Sequence, residues 1–124
     1  MRRYINLAAP ANKPPFSDAV LAGDTLYIAG RIGFVPGTFT VPDDLHTEIR
    51  NLLNWVRDVL AAAEMKMSDL VNVTIHCPDL SLFDNFNGVY REYFGQDLPA
   101  RAFIGSGPLL HGGHFQFHGI AVKS

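Results

Sequence analysis

From Leu45 to Ala63 the apolar residues return at helical spacing: Leu45, Ile49, Leu52, Leu53, Val56, Val59, Leu60 and Ala63. A stripe of this kind marks an amphipathic helix that must lay one side against a second layer. The segments on either side have the other period. Ala19 to Leu21 and Thr25 to Ile32 are strand-like and flank Ala22-Gly23-Asp24, which reads as a hairpin turn. In Leu70 to Cys77, Val71, Val73 and Ile75 alternate with Asn72, Thr74 and His76, the pattern of a half-buried strand, and Pro78 ends it. One helical period between segments of period two restricts the chain to helices laid on a sheet.

The remaining elements fit that frame. Tyr4 to Leu7 reads as a short edge strand, Pro10 to Pro15 as a proline-rich loop, and Gly33 to Pro42 as a second loop. Asp43 or Asp44 can cap the long helix, since a short carboxylate accepts free N–H groups of a first turn. His46, Glu48, Arg50, Arg57 and Asp58 are expected mostly on its wet side. Ser81 followed by Asp84 resembles a capping box for a second helix with an apolar stripe of Leu82, Phe83, Phe86, Val89, Tyr90 and Phe94, stopped at Gly95. Arg101 to Ile104 and His114 to Val122 read as the last strands. The order β-β-β-α-β-α-β-β predicts an α+β two-layer fold, a mixed sheet with two helices on one face. The other face, with Asn72, Thr74 and His76, is either solvated or shared with another subunit.

A chain of 124 residues fits one domain, 1–124, and with 48% hydrophobic residues it has material for a core. The formal charge of -2 and the lack of any basic run give no general attraction to nucleic acid or to an anionic membrane. The start, Met1-Arg2-Arg3-Tyr4, lacks the apolar region of a signal peptide, and no stretch approaches transmembrane length. Cys77 is the single cysteine, so neither an internal disulfide nor a CxxC site is available, and a reducing cytoplasm is the expected compartment.

Several stretches, in order, resemble the RidA/YjgF family, also labelled endoribonuclease L-PSP. They are Ala9-Pro10 with Pro15 to Val20, Gly23 to Gly30, the helix end near Ala61-Ala62-Ala63, Leu70 to Thr74, Phe86 to Phe94, Leu98-Pro99-Ala100-Arg101, and Ile120-Ala121-Val122. Phe86 to Phe94 followed by Pro99-Ala100-Arg101 is the most specific part. The resemblance implies a chorismate-mutase-like fold. It also implies a homotrimer whose sheets form a central barrel, with a ligand cleft at each subunit interface. The implied activity is hydrolysis of reactive enamines or imines to a keto acid and ammonia, without a cofactor.

The resemblance also implies site residues. Arg101 matches the family arginine that binds the substrate carboxylate, and a guanidinium presents a planar fork of donors suited to that task. Read without the resemblance, Arg101 is an ordinary ion-pairing or solvated arginine. His118 stands where family deaminases carry a glutamate that positions water; an imidazole can accept a proton from water but supplies no permanent negative charge. Phe16 replaces a common tyrosine, keeping a wall and losing a hydroxyl. Gly30 and Arg31 replace a Gly-Gln pair: Gly30 lets a ligand approach the backbone, and Arg31 is either a second cation for substrate or an inter-subunit ion-pair partner. Asn87 is either near the cleft or a surface amide, and Phe103 either narrows the cleft or fills the core.

His111, His114, Gln116 and His118 invite a metal, with the last three sharing one strand face, but no acidic partner stands at ligand spacing and no metal is expected. Cys77 and Trp55 read as packing residues, and Ser106 lacks a nucleophile-elbow context. Three functions follow: imine hydrolysis with Arg101 and His118, a trimer that binds small carboxylates without turnover, and RNA cleavage on the older family label. The acidic charge balance and the lack of a basic aromatic surface argue against the last.

Overall fold

The computed structural model of the protein describes residues 1–7 and 14–124. The loop expected from Pro10 to Pro15 falls outside the described residues apart from Pro14 and Pro15, as do Ala9 and Pro10. The elements are β1 (Arg2–Ile5), β2 (Ala19–Ala22), β3 (Thr25–Ile32), α1 (Leu45–Ala62), β4 (Leu70–Cys77), α2 (Phe83–Tyr90), β5 (Ala100–Gly105) and β6 (Gln116–Val122). They form one six-stranded sheet in the order β1-β2-β3-β6-β4-β5, in which β4 and β5 pair in parallel and the other neighbours are antiparallel. Residues from α1, α2 and one face of the sheet share a single core, so the helices cover that face and leave the other open.

Local chemistry explains the boundaries. Asp44, rather than Asp43, caps α1: its Oδ2 accepts the Thr47 backbone N–H at 2.9 Å and the Thr47 hydroxyl at 2.7 Å, and these bonds hold its carboxyl below the usual range. Gly23, at φ +61°, makes the β2–β3 turn. The expected Ser81–Asp84 capping box does not form. Asp79 instead accepts the Ser81 N–H and hydroxyl, holding a short 3-10 turn over Leu80–Leu82 ahead of α2. Helix α2 ends at Tyr90 and continues only as a 3-10 turn, Arg91–Tyr93, before Gly95 is reached.

Two departures matter for the site. Leu70 pairs with Ala121 but Asn72 pairs with Ile120, a bulge at Val71. The extra residue breaks the expected alternation, so Leu70 and Val73 face the core while Val71 is exposed. Glu48, expected on the wet side of α1, is completely buried. Its two carboxylate oxygens accept the His114 backbone N–H and contact the His114 ring Nδ1, each at 2.7 Å. A buried carboxylate needs such partners, and here they come from the turn leading into β6. Gly33 makes the close approach possible, because a Cβ there would lie 2.0 Å from the Glu48 carbonyl oxygen.

Candidate active site

Arg101 lies on β5, the edge strand, opposite Val73, and so on the helix-covered face. Its guanidinium carbon is 4.7 Å from the ring centre of Tyr90, 5.3 Å from Phe103, 5.7 Å from Phe83 and 5.9 Å from Phe86. Burial lowers the Arg101 pKa, with Tyr90 raising it and Arg91 lowering it. Among the described residues the ion pairs are Arg50–Glu92 and Glu48–His114, and Arg101 belongs to neither. A half-buried cation ringed by π faces and without a carboxylate is prepared for an anion from outside. On α2 the Tyr90 hydroxyl and the Asn87 Oδ1 are buried without a hydrogen-bond partner, and burial pushes the Tyr90 phenol up to about 12. Phe103 meets Phe83 and Phe86 edge-on, so it serves both as wall of this niche and as a lid on the core.

Phe16, Gly30 and Arg31 lie on the other side of the sheet order, around β3. They line a cavity of about 650 Å³ together with Trp55, His111 and Gln116. Gly30 faces Gln116, whose Nε2 would be 3.0 Å from a Cβ at that position. Arg31 points the opposite way. A register shift between Ile28 and Arg31 brings Arg31 opposite Phe117, on the core face. There its guanidinium carbon is 4.8 Å from the Trp55 ring centre and 5.1 Å from that of Phe34.

His118 pairs with Thr74 on the open face and stacks on His76, with ring centres 5.6 Å apart and planes 19° apart. Partial burial and then the neighbouring His76 lower its pKa below the ordinary imidazole value. A histidine with a depressed folded-state pKa contributes stability that is present above its unfolded pKa and is lost as pH falls through that value toward the folded one. Melting temperatures taken from about pH 7 down to about pH 5 should therefore fall more steeply for the native protein than for His118→Gln. Parallel curves would show that His118 does not contribute in this way.

Within one chain the sequence-derived residues fall into separate groups. Arg101 and Phe103 lie against α2, the helix that carries Asn87; Phe16, Gly30 and Arg31 gather at β3; His118 lies on the open face, opposite to the face that Arg101 occupies. Strands β4 and β6 separate β5 from β3, and three strand spacings amount to roughly 14 Å. His114 does not share a strand face with Gln116 and His118, because it precedes β6 and is held by Glu48. No group of three or more His, Cys, Asp or Glu side chains is placed to hold a metal among the described residues. Nor does any helix among them have the length and apolarity to cross a membrane. Cys77 is buried, its thiol donates to the Asp79 carbonyl, and burial raises its pKa.

Sequence reasoning missed Tyr90, Phe83 and Gln116 as site neighbours. Tyr90 had a signal, since it follows Asn87 by one helical turn. Gln116 had one too, sharing alternate positions with His118.

Comparison with known proteins agrees with this architecture. The Endoribonuclease L-PSP family matches residues 6–123, and the chain belongs to that family. It is 35% identical to a Capra hircus protein named 2-iminobutanoate/2-iminopropanoate deaminase, over 99% of this chain and 91% of the goat protein. Among solved structures it is similar to the yjgF gene product of E. coli, with a TM-score of 0.89 and 28% identity over 98% of this chain and 99% of that one. RidA from the Antarctic bacterium Psychrobacter sp. PAMC 21119 gives a TM-score of 0.85 and 29% identity, over 93% and 94% of the two chains.

Proposed function

We propose that the protein hydrolyses small imines or enamines that carry a carboxylate, releasing ammonia and a keto acid. The observation that carries this reading is the Arg101 guanidinium, half-buried among four aromatic rings and outside every ion pair of the described residues. The name of the goat relative supports the reaction class. Arg101 holds the carboxylate as a bidentate clamp and fixes the C=N carbon for attack. His118, neutral at working pH, orients a water, takes its proton as the oxygen adds to that carbon, and returns the proton to the nitrogen. The C–N bond of the resulting carbinolamine then breaks, ammonia leaves, and the carbonyl of the keto acid forms.

In this reading the site is completed between copies of the chain. One copy contributes Arg101, Asn87 and Phe103, and a neighbour contributes Phe16, Gly30, Arg31 and His118. A homotrimer whose open sheet faces meet in a barrel satisfies that requirement. It is supported by the exposed Tyr4 and Tyr27 and by the His76–His118 stack on the open face.

The test is direct. An imine generated in place from alanine by an amino-acid oxidase should decay faster with the protein than without it, and the rate should saturate. Light scattering should give the mass of three chains. Decay no faster than in buffer would end the enzymatic reading, and a monomer at working concentration would remove the shared cleft.

A further inference from the structure

Arg31 also borders a second crevice, of about 440 Å³, between α1 and the segment 33–42. Its far wall is one face of α1, with Asn51, Asn54, Trp55 and Asp58 at helical spacing, and Asp18 lies across from it. The volume is within the range of about 300–1,000 Å³ typical of small-molecule sites. The guanidinium sits between Phe34 and Trp55, and its Nε is buried without a hydrogen-bond partner. Asp18 is near enough for its charge to raise the Arg31 pKa against the lowering by burial, yet the two form no ion pair. One Asp18 oxygen is occupied by the Leu7 backbone N–H; Asp58, at the outer end of the α1 face, is exposed.

We propose that this crevice binds a free α-amino acid with an apolar side chain. A cation and two carboxylates stand in one small cavity without an ion pair among the described residues, and the Arg31 Nε has no hydrogen-bond partner. A simple anion would meet Asp18 and Asp58, and a simple cation would meet Arg31. A zwitterion answers both: its carboxylate takes the fork of Arg31, its ammonium takes the Asp18 carboxylate, and Asp58 adds to the field there. The rings of Trp55 and Phe39 receive the apolar side chain. Arg31 also belongs to the shared cleft of the deaminase reading, but amino-acid binding here requires no turnover, and within one chain Arg101 on β5 lies three strands from Arg31 on β3.

Trp55 is the only tryptophan of the chain and borders both this crevice and the cavity at β3, so its fluorescence reports a ligand on this side of α1. Titration with L-leucine should change it saturably. Isocaproate, which lacks the ammonium, and isoamylamine, which lacks the carboxylate, should each bind more weakly by about tenfold or more. Arg31→Gln and Asp18→Asn should each cost about tenfold in leucine affinity, the asparagine keeping an acceptor for the Leu7 N–H. Far-UV circular dichroism and melting verify that both variants fold; if either does not, the isocaproate and isoamylamine comparisons on the native protein carry the test. Arg101→Ala should leave leucine affinity within about twofold while removing imine hydrolysis. The proposal is overturned by no saturable response, by isocaproate or isoamylamine binding as well as leucine, by full affinity in folded Arg31→Gln, or by loss of binding in Arg101→Ala.

Discussion

Replacing Arg101 by alanine is expected to lower kcat/KM for imine hydrolysis by about two to three orders of magnitude, a loss of roughly 3–4 kcal/mol of transition-state binding. The size follows from what surrounds the guanidinium. Four ring faces hold it in place and no internal acid competes for it, so its interaction with a substrate carboxylate is made in a partly dry niche. Lysine at this position keeps a charge but loses the planar fork, and Arg101→Lys should retain activity between that of alanine and the native protein. The fold should tolerate both changes, because removing a half-buried cation with no ionic partner leaves no counter-charge stranded. Initial rates of ammonia release over a range of imine concentrations decide the matter. Native kinetics in a folded Arg101→Ala variant would remove the residue from the reaction.

Much of this architecture was legible before any coordinates. The stripe from Leu45 to Ala63 and the alternation around Val73 fixed a helix and a strand, because both periods follow from backbone geometry alone. What escaped were places where one residue breaks a period or where a partner is distant in sequence. The bulge at Val71 turned a regular alternation into two core-facing residues three apart. The register shift in β3 aimed Arg31 at Trp55, whereas strict alternation from Leu26 and Ile28 would aim it away from the helices. Glu48 read as wet because charged residues on a helix usually are, and its partner lies 66 positions later. Arg101 was legible through the Pro99-Ala100-Arg101 resemblance, but its aromatic box was not, since Phe83, Phe86 and Tyr90 already read as an ordinary helical stripe. The division of the site followed from strand order, which pattern alone leaves open.

The buried Glu48 carries the second large expectation. It is the only carboxylate among the described residues that is fully buried, and it ties α1 to the turn that leads into β6. Glu48→Gln keeps the shape but presents one oxygen where two donors converge, and it removes the charge that the His114 ring meets. Glu48→Gln leaves one of the two contacts at this buried position without its acceptor, a cost of about 1–3 kcal/mol. The melting temperature should drop by on the order of 10 °C, with the urea midpoint falling and its slope unchanged. His114→Ala retains the backbone N–H bond but leaves one oxygen of the buried Glu48 without its ring partner, and should cost a similar amount, about 1–3 kcal/mol. The consequence reaches the cavity at β3. The same turn carries Leu110 and His111, which line that cavity, and His111 is held there at φ +58°, a conformation that costs energy for a residue with a side chain. Without Glu48 the turn has less to hold it in that shape, so Glu48→Gln should also raise KM at temperatures well below its melting point. A Glu48→Gln protein that melts with the native one would show that the carboxylate is not the anchor of this turn.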